Sequence, residues 1–241
     1  LLNRAQNHLW INQYNAQTGA FVKTLFEETD FKYVEPQHLL TFLPGSSTEF
    51  IWCSQRDGYM HLYRYNTEGK LLNQVTKGEW LVNDIAGVNP VTKQLIITAT
   101  KESSLEKHIY AVNWQTGKMD RLDNAAGIHI VDVNTTGTYI VDRYQNKDVP
   151  RIAVVKSVNK NWSKNLLTAA NPLAAYERPK IESMTLKADD GTPLYGKLIY
   201  PTGFDPSKKY PVIVYLYNGP HVQLITNGFP DKDKTQIGVG Y

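Results

Sequence analysis

The chain has 241 residues, 41% of them hydrophobic, and is long enough for one large or two modest domains with a buried core. Its formal net charge is +3, from 26 basic and 23 acidic residues without long runs of one sign, which indicates neither a nucleic-acid nor an anionic-membrane partner. The single cysteine, Cys53, excludes an intrachain disulfide and a zinc site built from several thiolates, and no stretch approaches the roughly 20 apolar residues of a membrane-spanning helix.

A short repeat recurs along the first part of the chain. His8-Leu9-Trp10, His61-Leu62-Tyr63 and His108-Ile109-Tyr110 share the order histidine, aliphatic, aromatic, and Arg151-Ile152-Ala153 occupies the next position in degraded form. The spacings are 53, 47 and 43 residues. Each of the first three motifs is followed by a turn glycine, namely Gly19, Gly69 and Gly117. The repeat predicts a strand, a glycine hairpin and a second strand in each unit.

Further short strands are predicted ahead of each motif, for example at Glu49 to Ser54 and at Gln94 to Thr100, and alternation fills Ile128 to Val133. About four strands every 40 to 50 residues is the spacing of β-propeller blades. A sandwich or a tandem array is the alternative. Three to four blades cannot close a ring, so we expect further blades to precede Leu1 in a longer protein, or neighbouring copies to support this one.

The repeated histidines do not have the spacing of a metal site. They lie whole blades apart and lack a pattern such as His at i and i+4, so packing or hydrogen bonding explains them better. We therefore predict no metal and no cofactor. The Arg56-Asp57-Gly58 sequence is interpreted only as a hairpin turn.

The pattern breaks between Asn171 and Pro179, where two prolines bracket the most plausible domain boundary. We predict a partial β-propeller over residues 1–175 and a second unit over residues 176–241. The second unit opens with strands at Ile181 to Ala188 and Pro193 to Tyr200, joined by an Asp-Gly hairpin.

The apolar run from Val212 to Leu216 contains three β-branched residues and predicts a strand buried on both faces, as in an α/β sheet. Tyr217 follows it, and the Asn218-Gly219-Pro220 sequence forces a turn. A phenol at the carboxyl edge of such a strand can donate a hydrogen bond to an oxyanion. Simple packing of the tyrosine is the alternative.

Lys208-Lys209-Tyr210-Pro211 followed by Tyr217-Asn218-Gly219-Pro220 resembles the opening of the catalytic domain in the dipeptidyl peptidase IV branch of the prolyl oligopeptidase family. The resemblance implies late propeller blades followed by the first strands of an α/β-hydrolase sheet. It assigns Tyr217 to the oxyanion hole. It also suggests that Phe31, in Thr29-Asp30-Phe31-Lys32-Tyr33, lines the substrate pocket, although a core position for Phe31 is an alternative.

The same resemblance implies a serine exopeptidase that releases N-terminal dipeptides with Pro or Ala at the second position, works as a homodimer and is exported, for instance to the periplasm. Its partner is then a peptide substrate, without nucleic acid and without membrane insertion in this segment. The glutamate pair that captures the substrate amine in the family is expected upstream of Leu1.

The nucleophile of such an enzyme needs a Gly-x-Ser-x-Gly turn, and none occurs in these 241 residues. Only Ser47 has a glycine two residues before it, and Glu49 stands two residues after it. His221 precedes the position that the fold gives the triad histidine, so we assign it to loop structure or substrate-side lining. We expect the triad downstream of Tyr241 and this chain alone to be inactive. Another peptidase of the same family, or a non-catalytic propeller that binds a protein or peptide, remains the alternative.

Overall fold

The computed structural model describes residues 1–177, 179–217 and 222–230. Within these residues the chain is mainly β, with sixteen strands and no helix, so none of the described segments is a helix that spans a membrane. In chain order the strands are β1 (His8–Tyr14), β2 (Phe21–Thr29), β3 (Thr41–Phe42), β4 (Glu49–Ser54), β5 (His61–Asn66), β6 (Leu71–Gln74), β7 (Val82–Asn89), β8 (Gln94–Ala99), β9 (His108–Asn113), β10 (Met119–Arg121), β11 (Ile128–Val133), β12 (Tyr139–Gln145), β13 (Ile152–Ser157), β14 (Ser163–Thr168), β15 (Ile181–Lys187) and β16 (Pro193–Ile199).

The strands form three four-stranded antiparallel sheets and two hairpins. Each four-stranded sheet uses four consecutive strands, and we name the sheets blade 1 (β3 to β6), blade 2 (β7 to β10) and blade 3 (β11 to β14). Such a meander is the construction of a propeller blade. The prediction of a partial propeller is confirmed, with three complete blades and the β1-β2 hairpin supplying a further pair of strands.

The sequence repeat marks the third strand of each unit. His61 begins β5, His108 begins β9 and Ile152 begins β13, whereas His8 begins β1. The β1-β2 hairpin therefore corresponds to the third and fourth strands of a blade. In the β1-β2, β5-β6 and β9-β10 hairpins an asparagine side-chain oxygen accepts hydrogen bonds from two backbone N–H groups of the turn, and the turn contains a glycine with positive φ. These asparagines are Asn15, Asn66 and Asn113.

The core lies between successive blades, because the inner strands of blades 1 and 2 (β4, β5, β8 and β9) are buried on both faces. In β8, Leu95 and Ile97 belong to the apolar cluster between blades 1 and 2, whereas Ile96 between them belongs to the cluster between blades 2 and 3. This alternation follows from the two-residue period of a strand. Complete burial of one such side chain stabilises the fold by about 1.5 to 3 kcal/mol. The free Cys53 lies in the cluster between blades 1 and 2.

After blade 3 the chain forms the β15-β16 hairpin. Its turn contains Gly191 with φ 86°, and its strands agree with the predicted ones to within one residue at each end. The segment Thr226 to Phe229 then returns to the propeller and lies against blades 2 and 3. The division into residues 1–175 and 176–241 stays a prediction.

The expectation of a buried strand from Val212 to Leu216 is not met. The structure forms no strand there and leaves Val212 77% and Ile213 80% exposed. A strand buried on both faces needs hydrogen-bonding neighbours at both edges and a layer over each face. In the described residues β15 and β16 pair only with each other, so nothing supplies those neighbours.

Candidate functional site

The connection between β2 and β3 carries Phe31, the predicted substrate-binding residue. Two backbone hydrogen bonds anchor it, one from the Asp30 N–H to the Asn7 carbonyl at 3.1 Å and one from the Val34 N–H to the Gln6 carbonyl at 2.6 Å. Between these anchors the side chain of Phe31 is 87% exposed, so it is not a core residue. The loop therefore presents an aromatic ring to solvent on a fixed backbone.

A cleft of about 180 Å³ lies beside this loop. Its walls include Asp30 and Lys32 on either side of Phe31, and Trp52 and Arg56 from blade 1. Carboxylate, ammonium and guanidinium groups thus surround one small opening. Such a mixture suits a zwitterionic or polar ligand better than an apolar one.

Arg56 organises one wall of this cleft. Its guanidinium pairs with Glu28, donates to the Tyr65 hydroxyl at 2.7 Å and lies 4.3 Å from the centroid of the Tyr63 ring. The Glu28 carboxylate also accepts the indole N–H of Trp52 at 2.8 Å. Burial acts to lower the pKa of Arg56, but the hydrogen bond to Tyr65 and the Glu28 charge outweigh it and raise the pKa. Arg56 therefore stays protonated, and its guanidinium is held by contacts with Glu28, Tyr63 and Tyr65.

Tyr217 ends the described stretch 211–217, and its side chain is 59% exposed. The predicted turn at 218–220 and His221 lie outside the described residues. No hydrogen bond or ring contact joins the described side chains of Tyr217 and Phe31. An exposed phenol has the accessibility that a hydrogen-bond donor to a substrate needs, and the oxyanion role of Tyr217 stays a prediction.

A second and larger cleft, of about 650 Å³, lies between β16 and the stretch that leads to Tyr217. Its walls are mostly apolar and aromatic, with Leu198, Tyr200, Phe204, Val212 and Tyr215 among them. The exposed run before Tyr217 therefore forms one side of an apolar space next to the β15-β16 hairpin.

Comparison with known proteins decides the family. The first 151 residues match the family model described as the dipeptidyl peptidase IV (DPP IV) N-terminal region. The chain belongs to this family. The DPP IV resemblance seen in the sequence around Tyr217 is thereby supported by an independent match over the propeller.

Curated and solved relatives agree with the DPP IV assignment. Dipeptidyl peptidase 4 of Trichophyton equinum is 29% identical over 190 residues, covering 76% of this chain and 24% of that protein. Human dipeptidyl peptidase 8 is 27% identical over 246 residues, covering 85% of this chain and 27% of that protein. The chain thus spans about a quarter of the length of these relatives.

Two solved structures have the same fold. A putative dipeptidyl aminopeptidase IV from Bacteroides ovatus superimposes with a TM-score of 0.87 at 42% identity, over 95% of this chain and 35% of that one. Dipeptidyl peptidase 4 of Porphyromonas gingivalis superimposes with a TM-score of 0.84 over all of this chain and 34% of that one. At 23% identity the second similarity shows the fold alone.

Two of the repeated histidines make equivalent hydrogen bonds. His61 contacts the Thr76 hydroxyl at 3.0 Å, and His108 contacts the Asp123 carboxylate at 2.9 Å, fifteen residues further on in both cases. Thr76 and Asp123 each also accept the backbone N–H that follows the histidine. In blades 1 and 2 the repeat therefore encodes a hydrogen bond at the start of the third strand.

Three buried side chains, His108, Asp123 and His129, bring possible metal-ligand atoms within 4.8 Å of one another. The Arg121 guanidinium already lies among them. Its Nη2 is 2.7 Å from Asp123 Oδ1, 2.9 Å from His108 Nδ1 and 3.1 Å from the Ala125 carbonyl. A positive charge thus already balances Asp123, and we assign this cluster to the packing of blades 2 and 3.

Charge and hydrogen bonding in this cluster shift two pKa values. Burial alone would lower the pKa of His108, but hydrogen bonds with Asp123 and Glu106 raise it overall. Burial would raise the pKa of Asp123, yet the hydrogen bond with His108, the nearby His129 and the Ile109 N–H lower it to about 2. The carboxylate is therefore ionised in the folded protein.

The sequence interpretation missed the Arg56 cluster because Arg56-Asp57-Gly58 was assigned to a turn alone. The turn exists, with Gly58 at φ 94°. Its arginine nevertheless reaches Glu28, which lies 28 residues before it, and the Tyr65 hydroxyl, nine residues after it. The alternating aromatic residues of β5 were the available signal, since Tyr63 and Tyr65 share one face of that strand.

Proposed function

We propose that this chain is part of a serine exopeptidase that releases N-terminal dipeptides, with Pro or Ala at the second position, from peptide substrates. The match of residues 1–151 to the DPP IV N-terminal region supports the proposal. The exposed Phe31, held on an anchored loop beside a polar cleft, adds a local feature that suits peptide binding. In this proposal, residues 176–241 begin the α/β-hydrolase domain.

In the proposed reaction Tyr217 acts on the scissile carbonyl. Attack by a serine hydroxyl turns the carbonyl oxygen into an oxyanion, and the phenol O–H of Tyr217 donates a hydrogen bond to it. This bond strengthens as negative charge develops, so it stabilises the transition state more than the bound substrate. The sequence contains no Gly-x-Ser-x-Gly turn, and in this fold the aspartate and histidine follow the serine in the chain, so the proposal places all three triad residues outside these 241 residues.

The propeller is proposed to shape the other side of the cavity. Phe31 offers an apolar face to the substrate, and the cleft beside it offers groups of both charges. A short peptide with a free amine and several carbonyls can use both. By the same reasoning from the family, the full-length protein is proposed to be an exported homodimer.

The test is an activity assay on the full-length protein that contains this chain. Chromogenic Gly-Pro and Ala-Ala amides should be cleaved, and the same compounds with an acylated N-terminus should not. Cleavage of acylated or internal peptide bonds would instead favour another prolyl oligopeptidase relative. Tight peptide binding with no turnover of any of these compounds would favour a non-catalytic propeller. The 241-residue chain assayed alone should release no product.

A further inference from the structure

The segment from Thr226 to Phe229 connects the second part of the chain to the propeller. Asn227 donates its backbone N–H to the Leu105 carbonyl at 2.8 Å and its side-chain Nδ2–H to Glu106 Oε1 at 2.6 Å. Phe229, two residues later, is only 1% exposed. Lys197 of β16 donates to the Thr226 carbonyl at 3.0 Å, so the β15-β16 hairpin is tied to the same segment.

This attachment lies at the junction of two blades. Leu105 and Glu106 belong to the connection between β8 and β9 in blade 2. Gly228 lies beside blade 3, because a Cβ atom on it would be in van der Waals contact, 3.6 Å from the Gln145 side chain and 3.7 Å from Ile128. The segment is thus hydrogen-bonded to blade 2 and adjacent to blade 3.

Glu106 is itself held in place. Its second carboxylate oxygen, Oε2, bonds His108 Nε2 at 2.9 Å, and the other ring nitrogen of His108 bonds Asp123. Asp123 is in turn fixed by Arg121 and by the Ile109 N–H. The Glu106 carboxylate, which accepts the hydrogen bond from Asn227, is therefore the outermost group of a buried hydrogen-bond network. The packing of blades 2 and 3 sets its position.

Asn227 follows Tyr217 by ten residues in the sequence. The run before Tyr217 makes no strand contacts, so the nearest described attachment after it is the Asn227 segment. We propose that Asn227 is a positioning residue: by binding Leu105 and Glu106 it fixes the Tyr217 segment against the propeller and so aims the phenol at the substrate carbonyl. This inference rests on the function proposed above for Tyr217.

The test uses the full-length protein and a dipeptidyl amide substrate. Asn227→Ala should lower kcat about tenfold while KM stays within about twofold, because a misplaced donor weakens transition-state binding and leaves ground-state binding intact. Asn227→Asp should lower kcat further, since it places a carboxylate against Glu106. Gln223→Ala is the matched control in the same segment and should leave kcat unchanged, because among the described residues the Gln223 side chain bonds the nearby Ile225 carbonyl and no part of the propeller.

Two double variants separate positioning from general loss of structure. Asn227→Asp combined with Glu106→Gln restores an amide-carboxylate pair with the partners exchanged, and should recover kcat to within about threefold of the wild type. Adding Asn227→Ala to Tyr217→Phe should lower kcat by less than about twofold, because the hydroxyl that Asn227 positions has already been removed. The inference would be overturned if Asn227→Ala lowered kcat equally with and without the Tyr217 hydroxyl, or if it changed only KM.

A measurement that does not depend on turnover distinguishes failure of the proposed peptidase function from failure of the proposed anchoring by Asn227. Hydrogen-deuterium exchange of the backbone amides in 224–229, where the Asn227 N–H donates to the Leu105 carbonyl, should be faster in Asn227→Ala than in the wild type and unchanged in Gln223→Ala. A wild-type protein that releases no dipeptide contradicts the proposed function, and faster exchange would then still support the anchoring. Unchanged exchange in Asn227→Ala overturns the anchoring whatever the activity.

Discussion

Phe31 and Tyr217 are large aromatic residues that the fold leaves mostly exposed, at 87% and 59%. Aromatic rings usually stabilise a protein by burial, so exposed ones on anchored segments are candidates for contact with a partner. The sequence alone indicated both positions through its resemblance to a family. It could not indicate Arg56, because the contacts of Arg56 with Glu28 and Tyr65 depend on how β2 and β5 come together.

For Tyr217 we predict a loss of catalytic rate without a loss of folding. Tyr217→Phe in the full-length protein should lower kcat by roughly 10²-fold, equivalent to about 3 kcal/mol of transition-state stabilisation, because one oxyanion donor is removed. The thermal unfolding midpoint should not change, since the hydroxyl has no described partner within the chain. Steady-state kinetics and calorimetry measure the two quantities, and an unaltered kcat would contradict the assignment.

For Phe31 we predict an effect on substrate binding. Phe31→Ala should raise KM several-fold, corresponding to about 1 kcal/mol of lost apolar contact, with a smaller change in kcat. Leu39→Ala is the matched control, because Leu39 lies in the same connection and is 89% exposed. Equal KM values for the two variants would show that Phe31 does not touch the substrate.

Among the elements, the blades were predictable from the sequence and the last strand was not. The blades are built from local signals: alternating apolar residues and, in blades 1 and 2, an asparagine and a glycine in the last hairpin and a histidine at the start of the third strand. The run Val212 to Leu216 has strong strand propensity, but a strand also requires partners. In the described residues none lies beside it, so its backbone stays irregular and its side chains stay exposed.

The hairpin glycines allow a test at this scale. Gly69 has φ 86°, and a Cβ atom there would lie 2.0 Å from the Leu25 carbonyl oxygen, a backbone atom of β2 that cannot easily move. Gly69→Ala should therefore destabilise the protein by roughly 2 to 3 kcal/mol, combining backbone strain with a clash. Gly19→Ala, at φ 72° with open space around it, should cost about 1 kcal/mol. Denaturant unfolding of both variants measures the difference, and equal losses would contradict the close approach.

Over the whole molecule, the contact between blades 2 and 3 combines apolar packing with buried charge. His108, Asp123, His129 and Asp142 are all buried, and Arg121 and Lys156 supply the positive charges that pair with the two aspartates. Ion pairs with complete hydrogen bonding of this kind tolerate burial, but the loss of one member leaves an uncompensated charge. The stability of this junction should therefore depend on pH.

The sign of that dependence follows from the two shifted pKa values. Because the pKa of His108 is raised, its contribution to the free energy of unfolding is complete below the ordinary pKa of 6.5 and is lost as pH rises through the raised pKa. Because the pKa of Asp123 is lowered from 3.8 to about 2, its contribution to the free energy of unfolding is complete above pH 3.8 and is lost as pH falls toward 2. The unfolding temperature should accordingly be highest between these limits.

Thermal unfolding from pH 3 to pH 9 is the measurement, with pH values chosen to bracket the ordinary pKa values of Asp and His, about 3.9 and 6.5. His108→Asn should flatten the alkaline side of the profile because the titrating group is removed. His38→Asn, which changes a histidine outside the network, should keep the wild-type shape. A profile that rises above pH 7 would contradict the assignment.

The reactivity of Cys53 can be used to follow the separation of blades 1 and 2, because the thiol is buried between them. Burial, reinforced by the Asp84 charge, raises the pKa of its thiol to about 12, so almost no thiolate is present at neutral pH and the sulfur is unreactive in the closed fold. The Cys53 thiol can therefore be alkylated only after blades 1 and 2 have separated. The rate at which iodoacetamide modifies the peptide containing Cys53, followed by mass spectrometry at increasing urea concentrations, should therefore report how often blades 1 and 2 separate. Rapid modification in native buffer would mean that the two blades separate frequently in the folded protein.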